Sequence, residues 1–298
     1  MMITKSGSRN VVFEFLSNFT SECTRAAYRS DLESFFKYYN SSFSEVSQIS
    51  LSHLISYREY LLVKFSSNSV NRKLSGLKSF FIWCNQQGII QTNPASALKI
   101  PKSNPEHPTQ AFTDKETLDI LKLPDVSSFR GLMHELVLEL LFKLGLRRSE
   151  VAGIRVGDIF QERDTTVIRI KGKGDKIRIV PISSNFVEKI NKFLDKCERP
   201  TSSSHLISNG NGKRIDTSTI YRIVKSYAKM AGINKRVSPH SCRATVISHL
   251  LEQSVSPRDV ADFVGHSNIQ TTAIYDKKRL GLKNSAAFKV NYNLGEVT

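Results

Sequence analysis

Residues 93–110 read Asn93-Pro-Ala-Ser-Ala-Leu-Lys-Ile-Pro-Lys-Ser-Asn-Pro-Glu-His-Pro-Thr-Gln110, with prolines at positions 94, 101, 105 and 108. Proline lacks the amide N–H and fixes φ, so four of them cannot lie inside a continuous helix or a central strand. The stretch is expected to be an extended linker. It splits a chain of 298 residues into a smaller first part and a larger second part, each of ordinary domain length. The expected division is 1–97, a linker over 98–111, and 112–298.

Before the linker the pattern is helical. Ala27, Tyr28, Leu32, Phe35, Phe36 and Tyr39 recur at helical spacing over Thr24–Tyr39. Over Ser69–Asn85 the residues Val70, Leu74, Leu77, Phe81 and Cys84 make one apolar stripe. Arg72, Lys73, Gly76 and Ser79 are expected on the other side of that helix. Two cations among small residues would let it approach a phosphate backbone, with Lys78 as a further contact. A plain solvated face is the alternative.

After the linker the pattern is mixed. Thr113-Asp-Lys-Glu116 is a capping box. Leu136–Leu146 is the most apolar stretch, but Glu139 and Lys143 interrupt it and it is too short to span a bilayer. It reads as a buried helix. Thr166–Ile170 and Ile177–Ile182 flank Lys171-Gly-Lys-Gly-Asp-Lys176, a β-hairpin with a basic, glycine-rich tip where Lys176 is a further candidate for a phosphate contact. Ser238-Pro239 and Ser256-Pro257 each pair an N-cap with proline at the first helical position. Gly232 and Gly265 stand where helices should end, and Ser267 with Gln270 reads as another capping box. The expected fold class is mainly α with a small β-hairpin or sheet.

Lys and Arg number 43 against 27 Asp and Glu, a net charge of +16. Both parts share it: 12 basic and 6 acidic side chains up to residue 105, then 31 and 21. Such an excess points to a polyanion, and duplex nucleic acid is the usual one. The four cysteines, Cys23, Cys84, Cys197 and Cys242, lie far apart, which excludes a zinc ribbon or finger and fits a reducing cytoplasm. Met1–Asn10 has no apolar segment of the secretory type.

Several residues with useful chemistry fall at the ends of these elements. Arg147 stands near Glu150, and Lys173 lies at the hairpin tip. His240 and Arg243 share one helix face, three residues apart. His266 follows Gly265, and Tyr275 comes one short helix later. Two arginines, a lysine and two histidines beside a tyrosine describe an anion site with a nucleophile. No acidic cluster suited to two magnesium ions accompanies them, which disfavours a two-metal nuclease. Each residue also has an ordinary reading: surface ion pairs for the arginines, a solvated turn for Lys173, a helix end for His266, and core for Tyr275.

Their order along the chain resembles the tyrosine recombinases, the phage integrase family, and most closely its two-domain Xer-type members. The resemblance covers nearly the whole chain. Thr24-Arg-Ala-Ala-Tyr28 with Asp31, Leu32 and Phe35 resembles the opening of the family's core-binding domain. Ser69–Phe80 followed by Asn93-Pro94 resembles its later helix and exit. Gly145-Leu-Arg-Arg-Ser-Glu150 matches the first-arginine motif. Gly172-Lys-Gly-Asp-Lys-Ile-Arg-Ile-Val-Pro-Ile182 matches the lysine hairpin. Pro239-His-Ser-Cys-Arg243, Gly265-His266 and Tyr275 match the remainder. Cys242 stands where leucine is common, and Arg148 where an apolar residue is common. Spacing after Gly145-Leu146 favours Arg147 over Arg148 as the site residue. No arm-type DNA-binding domain is expected before residue 10.

The resemblance implies a four-helix core-binding domain and a mixed, mainly helical catalytic domain, closing as a C-shaped clamp on duplex DNA. It implies site-specific recombination. Tyr275 would attack a scissile phosphate to give a 3′-phosphotyrosyl link, which a 5′-hydroxyl of a second duplex displaces, with no metal, ATP or other cofactor. Arg147 and Arg243 would hold the non-bridging oxygens and Lys173 would protonate the leaving 5′-oxygen. His240 would assist proton transfer, His266 would donate a hydrogen bond, and Glu150 would orient the basic groups. The partners implied are two duplexes and four protomers, identical or drawn from a paired recombinase, with no membrane. Leu280, Leu282, Ala286, Ala287, Phe288 and Val290 in the tail supply apolar surface for a neighbouring protomer or for their own domain. The alternatives are a type IB-like DNA-relaxing enzyme, and a binding-only regulator using 257–275 as a helix-turn-helix.

Overall fold

The computed structural model describes residues 11–39, 43–101, 110–198, 200–209, 212–266 and 268–275. The chain forms two compact units, Met1–Glu106 and His107–Thr298. Among the described residues no helix is long and apolar enough to cross a membrane.

The first unit contains α1 (Val11–Ser17), α2 (Glu22–Tyr38), a 3-10 turn at Phe43–Gln48, α3 (Leu51–Lys64) and α4 (Ser67–Gln86). Four α-helices thus form its described part. Ser21 caps α2 by accepting from the Thr24 amide. The helices meet over aromatic rings: Phe15 is edge-on to Phe80 at 5.3 Å, and Phe35 to Tyr57 at 5.1 Å. Buried Tyr57 satisfies its hydroxyl on Ser34 at 2.8 Å.

Two readings of this unit need correction. Lys73 does not lie opposite the apolar stripe. It is only 8% exposed, and its ammonium stands 3.4 Å from buried Asp31 on α2. A carboxylate in the helix interface requires a cation beside it, and Lys73 meets that need. Gly76 is also internal, because a Cβ there would touch Tyr28 and Asp31 at 3.4 Å. It permits close crossing of α2 and α4. Arg72 is half exposed while also paired with Asp31, and Lys78 is half-buried. The start of the proline-rich stretch is likewise no extended linker. Ala95 and Leu98 are buried in the first unit's core, and Asn93 ties the turn by accepting from the Ala95 amide at 2.9 Å. Residues 102–109 of that stretch lie outside the described residues.

The second unit opens with α5 (Asp114–Lys122), whose Thr113–Glu116 capping box forms as expected. The apolar stretch becomes α6 (Phe129–Leu144). It is buried on nearly every side because α8, α9 and α10 surround it. Next come α7 (Arg148–Gly153), β1 (Ile159–Glu162), β2 (Thr165–Lys171) and β3 (Ile177–Pro181). The strands form an antiparallel sheet in sequence order, with Ile168 opposite Val180 and Lys171 opposite Ile177. Strand β1, only four residues long, lacked the alternation that would reveal it. Ile168, Ile170 and Val180 face the core, whereas Ile177 and Ile179 are 62% and 46% exposed. Four helices follow: α8 (Ser184–Leu194), α9 (Thr217–Met230), α10 (Pro239–Glu252) and α11 (Pro257–Val264). The short α12 (Gln270–Ala273) ends the described chain. Both Ser-Pro pairs start helices as read, at α10 and α11. The capping box at Ser267 and the tail over 276–298 lie outside the described residues.

The two charges in the apolar helix are explained by α8. Lys189 donates to buried Glu139 at 2.7 Å and lies 2.7 Å from Glu135, and Lys143 approaches the other Glu139 oxygen. Removing one partner strands a buried carboxylate. Lys189→Met should lower unfolding free energy by about 1–3 kcal/mol, with Lys143 covering part of the loss. Urea unfolding checks it, and an unchanged midpoint would contradict the pairing.

Candidate active site

Four chain ends converge in the second unit. The first is the turn from α6 to α7. Gly145 ends α6 with φ at +59°, in the left-handed region open to glycine, and its carbonyl accepts from Arg243 Nη1 at 2.7 Å. Two residues on, Arg147 is the N-cap of α7. Its backbone N–H donates to Glu150 Oε2 at 2.9 Å, and its Nη1 donates to Glu150 Oε1 at 2.7 Å. Arg147 Nη2 donates to the Gly265 carbonyl at 2.9 Å. Arg148 points to solvent, so of the two neighbouring arginines Arg147 is the one in the cluster.

The second is the hairpin. Its tip closes with the Gly172 N–H donating to the Lys176 carbonyl at 2.8 Å. Gly172 lies beside Glu150, and a Cβ there would sit in ordinary contact with Oε1 at 3.5 Å. Lys173 opens the short turn Lys173–Asp175, and its side chain lies outside the described part of the structure. Lys176 is exposed. A cleft of about 500 Å³ between this hairpin and α7 is lined by Arg147, Glu150, Asp158, Arg169 and Lys171.

The third is α10. Arg243 is 1% exposed, and among the described residues its Nε and Nη2 have no hydrogen-bond partner. Burial and the adjacent Arg147 push Arg243 down to about 10, so it stays a cation at neutral pH. His240, one turn earlier, is held below the ordinary histidine range by desolvation and by Arg243 and Arg147.

The fourth is the α11–α12 segment. Gly265 ends α11 with φ at +73°, and a Cβ there would come within 2.8 Å of Arg178 Nη1. Glycine is therefore required twice over, by conformation and by space. His266 follows, its Nδ1 2.8 Å from Thr272 Oγ1. Burial, then Arg243 and Arg147, push His266 down to about 4. Tyr275 packs against the cluster of Ile247, Leu251, Val260 and Val264 on α10 and α11 of its own chain. Burial raises its phenol above the usual value while Arg243 pulls it back. With only four residues, α12 is too short to serve as the recognition helix that a helix-turn-helix reading of 257–275 requires.

Sequence reasoning missed Arg178. Its Nη1 and Nη2 donate to the two Glu150 oxygens at 3.2 and 2.9 Å, and its Nε donates to the Phe263 carbonyl at 3.0 Å. It joins β3, α7 and the end of α11. Strand parity contained the signal: Arg178 shares a face with Val180, and a cation facing inward needs a buried counter-charge. The apolar Ile177 and Ile179 on the opposite face masked it. Among the described residues, no group of three His, Cys, Asp or Glu side chains converges as metal ligands would.

Burial alone would raise the Glu150 carboxyl, but the hydrogen bonds from Arg178 and Arg147 outweigh it and hold it below the ordinary range. A depressed folded-state value contributes stability that is complete above the unfolded value of about 4.3 and is lost as pH falls through the folded one. Glu150→Gln should therefore flatten the dependence of the urea midpoint on pH between about 5 and 3. A slope as steep as the wild type's would contradict the assignment.

The sequence pattern of the phage integrase family matches residues 110–280, and that of the phage integrase N-terminal SAM-like domain matches residues 13–88. The chain is 32% identical over 265 residues to the tyrosine recombinase XerC of Thermodesulfovibrio yellowstonii, covering 86% of this chain and 85% of the relative. Its fold is similar to that of the XerH site-specific recombinase bound to palindromic difH substrate in a post-cleavage complex. There the TM-score is 0.74 at 19% identity, over 95% of this chain and 90% of that one. It is also similar to lambda integrase in a tetramer bound to a Holliday junction, with TM-score 0.70 at 17% identity over 89% and 74%. With both units matched in order and a relative above 30% identity along most of its length, the chain belongs to the phage integrase family of tyrosine recombinases.

Proposed function

We propose that this protein exchanges strands between specific duplex DNA sites through a covalent bond from Tyr275 to DNA. The observation that carries the reading is Arg243. A guanidinium 1% exposed, with Nε and Nη2 unpartnered among the described residues, is costly unless an anion completes it. The Nε–Nη2 edge is the fork that matches two phosphate oxygens. Arg147 and His266 border the same position, so a scissile phosphate there meets donors already set in place.

In the first step the Tyr275 oxygen bonds to phosphorus and the bond from phosphorus to the 5′-oxygen breaks. The phenolic proton passes to His240, whose depressed pKa leaves it neutral and able to accept. Lys173 gives its proton to the departing 5′-oxygen. In the second step a 5′-hydroxyl of the partner duplex attacks, the tyrosyl oxygen leaves, and both protons return. One phosphodiester replaces another, so no ATP is needed, and Arg147, Arg243 and Lys173 supply the positive charge at the phosphate. The net charge of +16 supports wrapping of duplex DNA by both units. The reaction takes place in the cytoplasm on four protomers, because exchange between two duplexes needs four cleavages and each chain supplies one Tyr275.

Tyr275→Phe should abolish covalent capture of a nicked duplex, read as loss of the protein–DNA adduct in denaturing gels, while duplex binding persists. An adduct formed by this variant would move the nucleophile elsewhere, with Tyr221 and Tyr292 next. Truncation after Arg279 removes the apolar residues of the tail. It should leave single-site binding within about threefold and reduce recombination at least tenfold through lost synapsis. Full recombination without the tail would sink the role of the tail in assembly.

A further inference from the structure

We propose that Thr272 is a positioning residue that fixes the tautomer of His266, so that His266 meets the phosphate as a neutral Nε2–H donor. The proposal rests on the assignment of His266 to the phosphate in the mechanism above. Thr272 is wholly buried, at 0% exposure, and its hydroxyl lies 2.8 Å from His266 Nδ1. A buried hydroxyl needs an acceptor for its proton. Among the described residues the Thr272 hydroxyl has no other hydrogen-bond partner than His266. Its proton therefore goes to Nδ1, and the imidazole proton sits on Nε2. The reverse arrangement would strand the threonine proton and aim the Nε2 lone pair at an incoming phosphate. Proximity of Arg243 and Arg147 supports the neutral form. The same residue reaches the nucleophile, since the Thr272 carbonyl accepts from the Tyr275 N–H at 3.0 Å. One buried threonine thus ties the donor histidine to the tyrosine backbone within ten residues, 266–275.

Thr272→Val keeps the shape and removes the hydroxyl, and Thr272→Ser keeps the hydroxyl. Outer hydrogen-bond partners of metal-ligating histidines are worth about 10–100-fold, and an effect on that scale is expected for the phosphate-binding histidine here. In the full chain, Thr272→Val should slow adduct formation on a nicked duplex by at least tenfold with site affinity unchanged. Thr272→Ser should stay within about threefold of wild type. Nitrogen spectra of the histidine-labelled protein, assigned with His266→Gln, should show an unprotonated Nδ1 and a protonated Nε2 in wild type. The Thr272→Val spectrum should show the proton shared or shifted to Nδ1. A protonated Nδ1 in wild type overturns the proposal. So does a slow Thr272→Val with unchanged nitrogens, which would leave only a backbone role. Should Thr272→Val fail to fold, the wild-type spectrum and the Thr272→Ser rate still decide. Full cleavage by His266→Gln would remove the role of His266 in the mechanism, while the spectra continue to report the tautomer on their own.

Discussion

One carboxylate holds this site together. Glu150 is buried and accepts from Arg147, from Arg178 and from the Arg147 backbone. Arg147, Arg178 and Arg243 would repel one another in a half-buried space, and Glu150 is the internal anion that lets them approach. Its two oxygens spread that attraction over three chain segments. Arg147 carries it to the Gly265 carbonyl, and Arg178 carries it to the Phe263 carbonyl. The hairpin, the start of α7 and the end of α11 are therefore placed relative to one charge.

The balance is deliberately incomplete. Glu150 neutralises part of the cluster and leaves Arg243, among the described residues, with only a backbone carbonyl. A second carboxylate would have satisfied Arg243 and closed the space beside its open Nε–Nη2 edge. The deficit is borne by the surrounding core. Helix α6, buried along almost its whole length, packs against α10 and holds Arg243 in place, so the unpaired guanidinium cannot swing out to water. Stability is thus set against a preorganised cationic edge, the arrangement on which the proposed mechanism relies.

The first unit uses the same device for packing. Asp31 lies between α2 and α4 with Lys73 and Arg72 against it. There the carboxylate is matched on the inside by Lys73, and Arg72 keeps an exposed side. A basic residue on a helix is thus no guide to its partner until its depth is known. Lys73 and Arg72 are adjacent in sequence, and only one of them faces outward.

By itself the sequence determined several local choices: two helices of the first unit from apolar periodicity over 24–39 and 69–85, the starts at Ser238-Pro239 and Ser256-Pro257, the ends at Gly232 and Gly265, and the hairpin about Lys171–Lys176. These follow from backbone geometry within a few residues. The order of Arg147, Lys173, His240, Arg243, His266 and Tyr275 also marked the family, because order survives without knowledge of contacts. Only the tertiary structure decided which polar groups meet. Arg178 joining Glu150 spans 28 residues, and Arg243 joining the Gly145 carbonyl spans 98. The burial of Lys73 depends on a helix 42 residues away. A charged side chain carries no label for its partner along the chain. Its pairing is set by the cost of leaving it alone in the interior, and that cost exists only once the chain has folded.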